Sequence, residues 1–309
     1  MAQPLGVPLL IANPTAGRRT GGVLARLRAA LSERGVAHDL VTTTRRGHAS
    51  EVAREAVERD GRTYVVAVGG DGTVHEVVNG LVDAATGTLR GADPVLGVVG
   101  NGSGCDFVRT FGLDRSPEVL ADHLATDATM RIDLGRVEVD GPDGRRRSRV
   151  FANIAEVGFG AEVVARSSRL PRRLGPSRYA VGVVATWGRF RRIPMSVAVD
   201  GGTHTGPVCN VLVANGQFYG GGLMVAPRAI PDSGRYNVQT WGGTPTDVLR
   251  FAKLLRTGLH LSRADVREWQ SQAVTVETSR PVGVEADGEL LGCSPARFDI
   301  LPSILRLKL

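Results

Sequence analysis

The feature that most constrains this chain is the run Tyr64–Val68, which passes without a spacer into Gly69-Gly70-Asp71-Gly72-Thr73. An uninterrupted apolar run of that length reads as a strand covered on both faces, and the helical pattern over Val74–Val82 makes it a strand–turn–helix unit. Two more apolar runs end alike. Val7–Ala12 stops at Asn13-Pro14-Thr15-Ala16-Gly17, and Val95–Val99 stops at Gly100-Asn101-Gly102-Ser103-Gly104. Helical spacing over Gly22–Leu31 and His48–Val57, with a strand at Val36–Thr42 between them, completes a βαβ alternation. Ser116 before Pro117 is the cap of a last helix running to Leu124. Turns that end the strands of one parallel sheet share an edge. There, backbone N–H groups and helix N-termini favour phosphate.

From Met130 onward the pattern changes. Arg131–Val139, Arg149–Ile154, Met195–Asp200, Pro207–Ala214, Arg235–Thr240, Gln272–Glu277 and Pro281–Ala286 are strand-like, mostly with alternating β-branched residues. Helical patterns interrupt them at Ala161–Arg169, Tyr179–Phe190 and Thr246–Leu259. The expectation is two domains, residues 1–130 as an α/β domain and residues 131–309 as an antiparallel β-sandwich. The last stretch of the chain is left free to pack back on the first domain.

Net charge is +7 and rests on Arg, because Lys253 and Lys308 are the only lysines. Nucleic acid, anionic membrane and phosphorylated substrates all fit that sign. Nucleic acid is set aside for want of an aromatic-rich basic surface or a recognised motif. Cys105, Cys209 and Cys293 are widely spaced and odd in number, which argues against a disulfide framework or a zinc site. The start of the chain lacks a basic, then apolar, leader pattern, and no apolar run is long enough to span a bilayer. The expected location is the cytoplasm, with peripheral membrane contact.

In the Gly69–Thr73 turn, glycines let backbone meet phosphate without interference from Cβ. Asp71 is placed to hold Mg²⁺ or an ordered water there, and Thr73 to donate to a phosphate oxygen. The Asn13–Gly17 and Gly102–Phe107 turns are weaker signals singly and stronger together. None of the three matches G-x-x-x-x-G-K-[ST], and the spacing is not that of G-x-G-x-x-G, so P-loop and dinucleotide folds are set aside.

The chain resembles the diacylglycerol kinase catalytic family, which includes sphingosine and ceramide kinases and bacterial soluble lipid kinases. The resemblance lies in Val68–Gly80 (VGGDGTVHEVVNG), the N-P-x-x-G start, and the L-G-x-x-x-x-G-S-G-x-D-F run at Leu96–Phe107. It continues through Phe151-Ala152-Asn153 with Gly158–Glu162, Asn215-Gly216 with Gly220–Met224, Pro227, Ala229, Asp232 and Gly234, and Glu285–Glu289. It implies that residues 1–130 are a three-layer, phosphofructokinase-like nucleotide-binding α/β domain and residues 131–309 a β-sandwich lipid-substrate domain, with ATP in the cleft between them. The nucleotide contacts it implies are Asn13, Pro14, Thr15, Ala16 and Gly17, then Thr44, then Gly69, Gly70, Asp71, Gly72, Thr73, Val74, His75 and Glu76, then Gly102, Ser103 and Asp106. Asp287 or Glu289 is implied as the base facing a lipid hydroxyl, beside Asp71 as a catalytic residue. Mg²⁺ is implied with ATP at Asp71 and, as a structural ion, near Asp232. Three residues depart from the family pattern: His75 and Cys105 stand where it has Asn, and Ser233 where it has a metal-binding Asp. A hydroxyl is a poor ligand for a hard cation, which counts against the structural ion.

The expected partners are a membrane lipid as substrate and an anionic membrane surface, with homodimerisation left open. Membrane contact would run through Arg145–Arg149, Arg166–Arg178 and Arg189–Arg192, with Leu170, Leu174, Trp187 and Phe190 among them. Diacylglycerol leads as acceptor over a sphingoid base, a monoacylglycerol or a polyprenol. The rivals are an NAD kinase and a non-catalytic lipid- or nucleotide-binding protein.

Overall fold

The structure, a computed structural model, describes residues 5–16, 20–101, 104–113, 116–141, 143–171, 177–187, 191–243 and 253–309. The chain forms two compact units, one of Met1–Leu134 with Leu301–Leu309, the other of Gly135–Ile300.

The first unit alternates strand and helix. Its elements run β1 (Leu9–Ala12), α1 (Thr20–Glu33), β2 (Asp39–Thr42), α2 (His48–Glu58), β3 (Tyr64–Gly69) and α3 (Asp71–Leu81). A small hairpin of β4 (Val82–Asp83) and β5 (Thr88–Leu89) leads to β6 (Val95–Gly100), α4 (Asp106–Thr110) and α5 (Pro117–Leu124). Every β1 and β3 residue is buried, as two covered faces require. On one face Leu10, Val66, Val68 and Val99 pack with Leu27 and Leu31 of α1 and Leu120 and Leu124 of α5. α2 and α3 pack together at Gly80, where a Cβ would lie 2.5 Å from the Ser50 carbonyl oxygen. Ser116 caps α5 through Val119 N–H, with Pro117 in the first turn.

The second unit is antiparallel. It contains β7 (Thr129–Asp140, entered from the first unit), β8 (Arg146–Phe151), β9 (Ile154–Gly158), α6 (Phe159–Arg169) and α7 (Ser177–Trp187). Then come β10 (Ile193–Val199), β11 (Gly202–Val208), β12 (Asn210–Ala214), the short pair β13 (Phe218–Tyr219) and β14 (Leu223–Met224), and β15 (Tyr236–Trp241). β16 (Val266–Ser271), β17 (Ala273–Thr278), β18 (Gly283–Ala286) and the first part of β19 (Glu289–Lys308, whose last residues belong to the first unit) complete it. One layer runs β16-β15-β12-β9-β18-β19, and β17, β10 and β11 continue from β19 as the other. Val157, Val211, Val213, Val238 and Val284 meet Met195, Val197, Val274, Val276 and Phe298 in the core. Gly135 has no side chain because the Phe151 ring fills that space: a Cβ there would sit 2.1 Å from Cζ.

Several expected elements differ in extent. Arg149–Ile154 is two strands, because Ala152 and Asn153 turn their N–H groups to the Asp287 carboxylate instead of a ladder partner. Pro207–Ala214 is likewise two strands, parted at Cys209. Of the helix expected over Thr246–Leu259, residues 246–252 lie outside the described residues, 253–255 are helical, and a separate 3₁₀ turn follows at Leu259–Ser262. β11, β16 and the length of β19 were not anticipated. Their polar and proline residues mask the alternation that would mark a strand.

Candidate active site

The first unit's site is the carboxyl edge of its parallel sheet. Parallel pairing puts Ala12 beside Thr42 and Val68, and Val68 beside Val99. The loops after β1, β2, β3 and β6 therefore leave from one line. Two hydrogen bonds tie them together, Asn13 N–H to the Val68 carbonyl at 3.0 Å and Asn101 N–H to the Gly69 carbonyl at 2.8 Å. Asn13 Oδ1 accepts from Thr15 N–H and Thr15 Oγ1, both at 2.9 Å, which folds the first loop on itself. Thr73 packs over Gly69, where a Cβ would fall 2.3 Å from Thr73 Oγ1. Only glycine admits that contact. At Gly72 the space a Cβ would enter is open, so the first turn of α3 presents bare backbone.

Asp71 opens α3 and its Oδ1 accepts from Phe107 N–H at 3.0 Å, which joins the third and fourth loops. A Cβ on Gly104 would lie 2.9 Å from Asp71 Oδ2 and 3.3 Å from Asp106 Oδ2. Two carboxylates thus converge on one glycine. Cys105 holds the left-handed N-cap position of α4 (φ 53°), and a Cβ on Gly100 would lie 3.2 Å from its sulfur, so Cys105 is part of the packing.

Other expected contacts have different tasks. Glu76 accepts from Gly47 N–H at 2.9 Å and Ala49 N–H at 3.1 Å, so its carboxylate caps α2. It therefore holds the loop that carries Thr44, whose N–H donates to His48 Nδ1 at 3.1 Å. Val74 and His75 are buried, and the His75 carbonyl accepts from Asn79. Gly17, Gly102 and Ser103 lie outside the described residues. Asn101 was not anticipated. Its Nδ2 is buried and lacks a hydrogen-bond partner among the described residues, which leaves a donor at the glycine edge for a ligand. The only sign in the sequence was a polar residue between the two glycines of Gly100–Gly102.

In the second unit Asp287 sits in left-handed backbone (φ 51°). Its Oδ2 accepts from Ala152 N–H at 2.9 Å, and its Oδ1 from Asn153 N–H at 3.0 Å and Ile154 N–H at 3.2 Å. Glu289, half-buried, begins β19. Asn153 is 7% exposed, donates to the Phe218 carbonyl, and leaves its Oδ1 without a partner among the described residues. Asp232 is exposed, and the Ser233 hydroxyl is turned back onto its own loop, 2.8 Å from the Ile230 carbonyl.

Comparison with known proteins shows the family. Residues 8–137 match the diacylglycerol kinase catalytic domain, and residues 153–309 match the YegS C-terminal NAD kinase beta sandwich-like domain. The chain belongs to the diacylglycerol kinase and YegS-like lipid kinase family. One relative within it, a diacylglycerol kinase of Mycobacterium tuberculosis, is 28% identical over 98% of this chain and 95% of its own. A YegS-like lipid kinase of Xanthomonas axonopodis pv. citri is 30% identical over 90% of this chain and 89% of its own. A solved diacylglycerol kinase of Bacillus anthracis shares the fold, with a TM-score of 0.69 at 19% identity over 99% of this chain and 98% of that one. Both units of this chain are accounted for by the family.

Proposed function

We propose that the chain transfers the γ-phosphate of ATP to the hydroxyl of a membrane lipid, diacylglycerol first, giving phosphatidic acid. The observation that carries this is the convergence of Asn13, Asp71, Thr73 and Asp106 on the sheet edge of a lipid kinase family member. Open backbone at the start of α3 and the spare Asn101 donor suit phosphate oxygens. Asp71 and Asp106 are the residues that would hold Mg²⁺ with the nucleotide, where the ion would offset charge on the phosphates. Asp232 and Ser233 do not suit a second ion: a hydroxyl is a poor ligand for a hard cation, and that of Ser233 is turned onto its own loop.

In the transfer, the lipid oxygen bonds to the γ-phosphorus as the bond from phosphorus to the bridging oxygen breaks, and ADP leaves with that electron pair. The hydroxyl proton goes to a carboxylate. Glu289 fits that task better than Asp287, whose two oxygens already accept three backbone N–H bonds.

No helix among the described residues is long and apolar enough to cross a membrane. The reading is of a cytoplasmic enzyme that docks on anionic membrane through the exposed arginines Arg145, Arg146, Arg147 and Arg149 of the β7–β8 hairpin. Arg146 and Arg147 pair with Asp140 and Asp143 but stay exposed, whereas Arg166 and Arg178 are half-buried and bond to Glu162 and to the Ser167 carbonyl, which suits them less. Arg172, Arg173, Arg189, Leu174 and Phe190 lie outside the described residues.

Labelled γ-phosphate from Mg²⁺-ATP should appear in phosphatidic acid when a lipid panel is offered in anionic mixed micelles with NAD as competing acceptor. Label in another lipid would change the substrate and keep the class. Label in NAD alone would overturn the proposal.

A further inference from the structure

Next to the Asp287–Glu289 turn lie two carboxyl groups that transfer of phosphate does not use. Glu156 on β9 and Glu285 on β18 stand directly opposite each other in antiparallel register and are 1% and 3% exposed. Cross-strand partners have their Cβ atoms about 5 Å apart, so the two buried carboxyl groups lie within reach of each other. Their surroundings fix what each oxygen can do. Asn210 Oδ1 accepts from Gly160 N–H at 3.1 Å. A backbone N–H can only donate, so the amide oxygen must face Gly160 and the NH₂ must face Glu156, which it reaches at 2.6 Å. Glu285 Oε2 accepts from Gly288 N–H at 2.8 Å, inside the catalytic turn. Those bonds engage Oε1 of Glu156 and Oε2 of Glu285, and the remaining oxygen of each carboxyl is the one a shared proton can join. Two ionised oxygens cannot rest in that contact without a cation. Asp287 is a further negative charge acting on the pair, and the Cys209 thiol, pushed up by burial, lies within electrostatic reach of Glu156. Glu162, in the first turn of α6, adds no positive charge.

We propose that Glu156 and Glu285 are positioning residues that carry a single proton between them and so hold the Asp287–Glu289 turn in its working conformation. This rests on Glu289 being the base of a lipid kinase. The bonds form a continuous chain: Gly160 N–H at the start of α6, Asn210, Glu156, the shared proton, Glu285, Gly288 N–H. Gly160 is part of the device, since a Cβ there would fall 1.9 Å from Glu156 Oε2. Burial pushes Glu156 up to about 7, and burial together with the Glu156 charge pushes Glu285 up as well. When the shared proton is lost the carboxylates repel, the hold on Gly288 weakens and kcat falls. The same shift sets the stability dependence. An unfolded glutamate ionises near 4.5 and folded Glu156 near 7, so the stability the pair confers falls as pH rises through that window.

The test uses the full chain with Glu156→Gln, Glu285→Gln and Glu285→Leu. Carboxyl carbon NMR of glutamate-labelled wild type should show a signal titrating near neutral pH that each Gln variant removes. Either Gln supplies the donor that the shared proton supplied, so both variants should keep kcat and lose its alkaline limb. Glu285→Leu should lose kcat by roughly ten- to a hundredfold, the scale of a misplaced reacting group, with KM for ATP held within about twofold. If Glu285→Leu does not fold, the Gln variants still decide the matter. An unchanged alkaline limb in both Gln variants, or both carboxyls titrating in the ordinary range in an active enzyme, overturns the proposal alone. A wild type that phosphorylates no lipid overturns the functional reading beneath it, whatever the NMR signal shows.

Discussion

Asp287 and Glu289 are two residues apart in one turn, and their surroundings assign them different work. The carboxylate of Asp287 is the acceptor for Ala152, Asn153 and Ile154, all at most 7% exposed. Removing it leaves buried N–H groups with no partner, so Asp287→Ala should cost about 2–4 kcal/mol in urea denaturation and lower kcat as well. Glu289→Ala truncates a half-buried side chain at the start of β19. It should keep stability within about 0.5 kcal/mol. Single-turnover phosphate transfer in that variant should slow by roughly 10²–10⁴, with ATP still bound. Equal destabilisation by the two variants would show that the division of labour is wrong. Sequence could place both acids in the turn and could not tell them apart, because the partners of Asp287 lie over 130 positions away. Glu76 shows the same limit. It reads as a nucleotide contact from its motif, while its carboxylate faces the N-terminus of α2.

At the scale of elements, the nucleotide edge depends on how closely α2 and α3 approach. Gly80 lies against Ser50 and Ala53, with a Cβ clash of 2.5 Å to backbone and 2.7 Å to Ala53 Cβ. The atoms in the way are mostly backbone and cannot swing aside. Gly80→Ala should therefore destabilise by about 1–3 kcal/mol in urea denaturation. It should also weaken ATP binding by calorimetry, since Glu76 on α3 holds the α2 cap and the Thr44 loop. Wild-type stability in that variant would mean the helices separate freely. The helices themselves were legible from periodicity, as was the run of β3 into α3. The split of Arg149–Ile154 was not, because a side chain elsewhere replaces the ladder partner of Ala152 and Asn153.

Over the whole molecule, the end of the chain belongs to the first unit: Arg306 and Leu307 pair in parallel with Val95 and Leu96 of β6. That places Lys308 at 2% exposure, where Nζ donates to Thr126 Oγ1 at 2.9 Å and the Ala128 carbonyl at 2.7 Å. Burial lowers its ammonium from 10.5 to about 8. Between those values the unfolded chain holds the proton and the folded chain does not, so stability should rise with pH across that window. Relative to Lys308→Met, the wild type should gain up to about 3 kcal/mol from pH 8 to 10.5, read as the difference in urea midpoints. A difference that does not change with pH would show that the ammonium stays charged throughout. Sequence alone determined that the first part of the chain is a parallel α/β layer with glycine turns on one edge and that the second is antiparallel. Those follow from local periodicity and from where glycine interrupts it. Only the tertiary structure decided that Glu156 and Glu285 share one buried site, that Asp287 holds a turn and that Lys308 is buried. Each of those depends on residues brought together from distant parts of the chain, where burial and hydrogen-bond partners set the chemistry of a carboxyl or an amine.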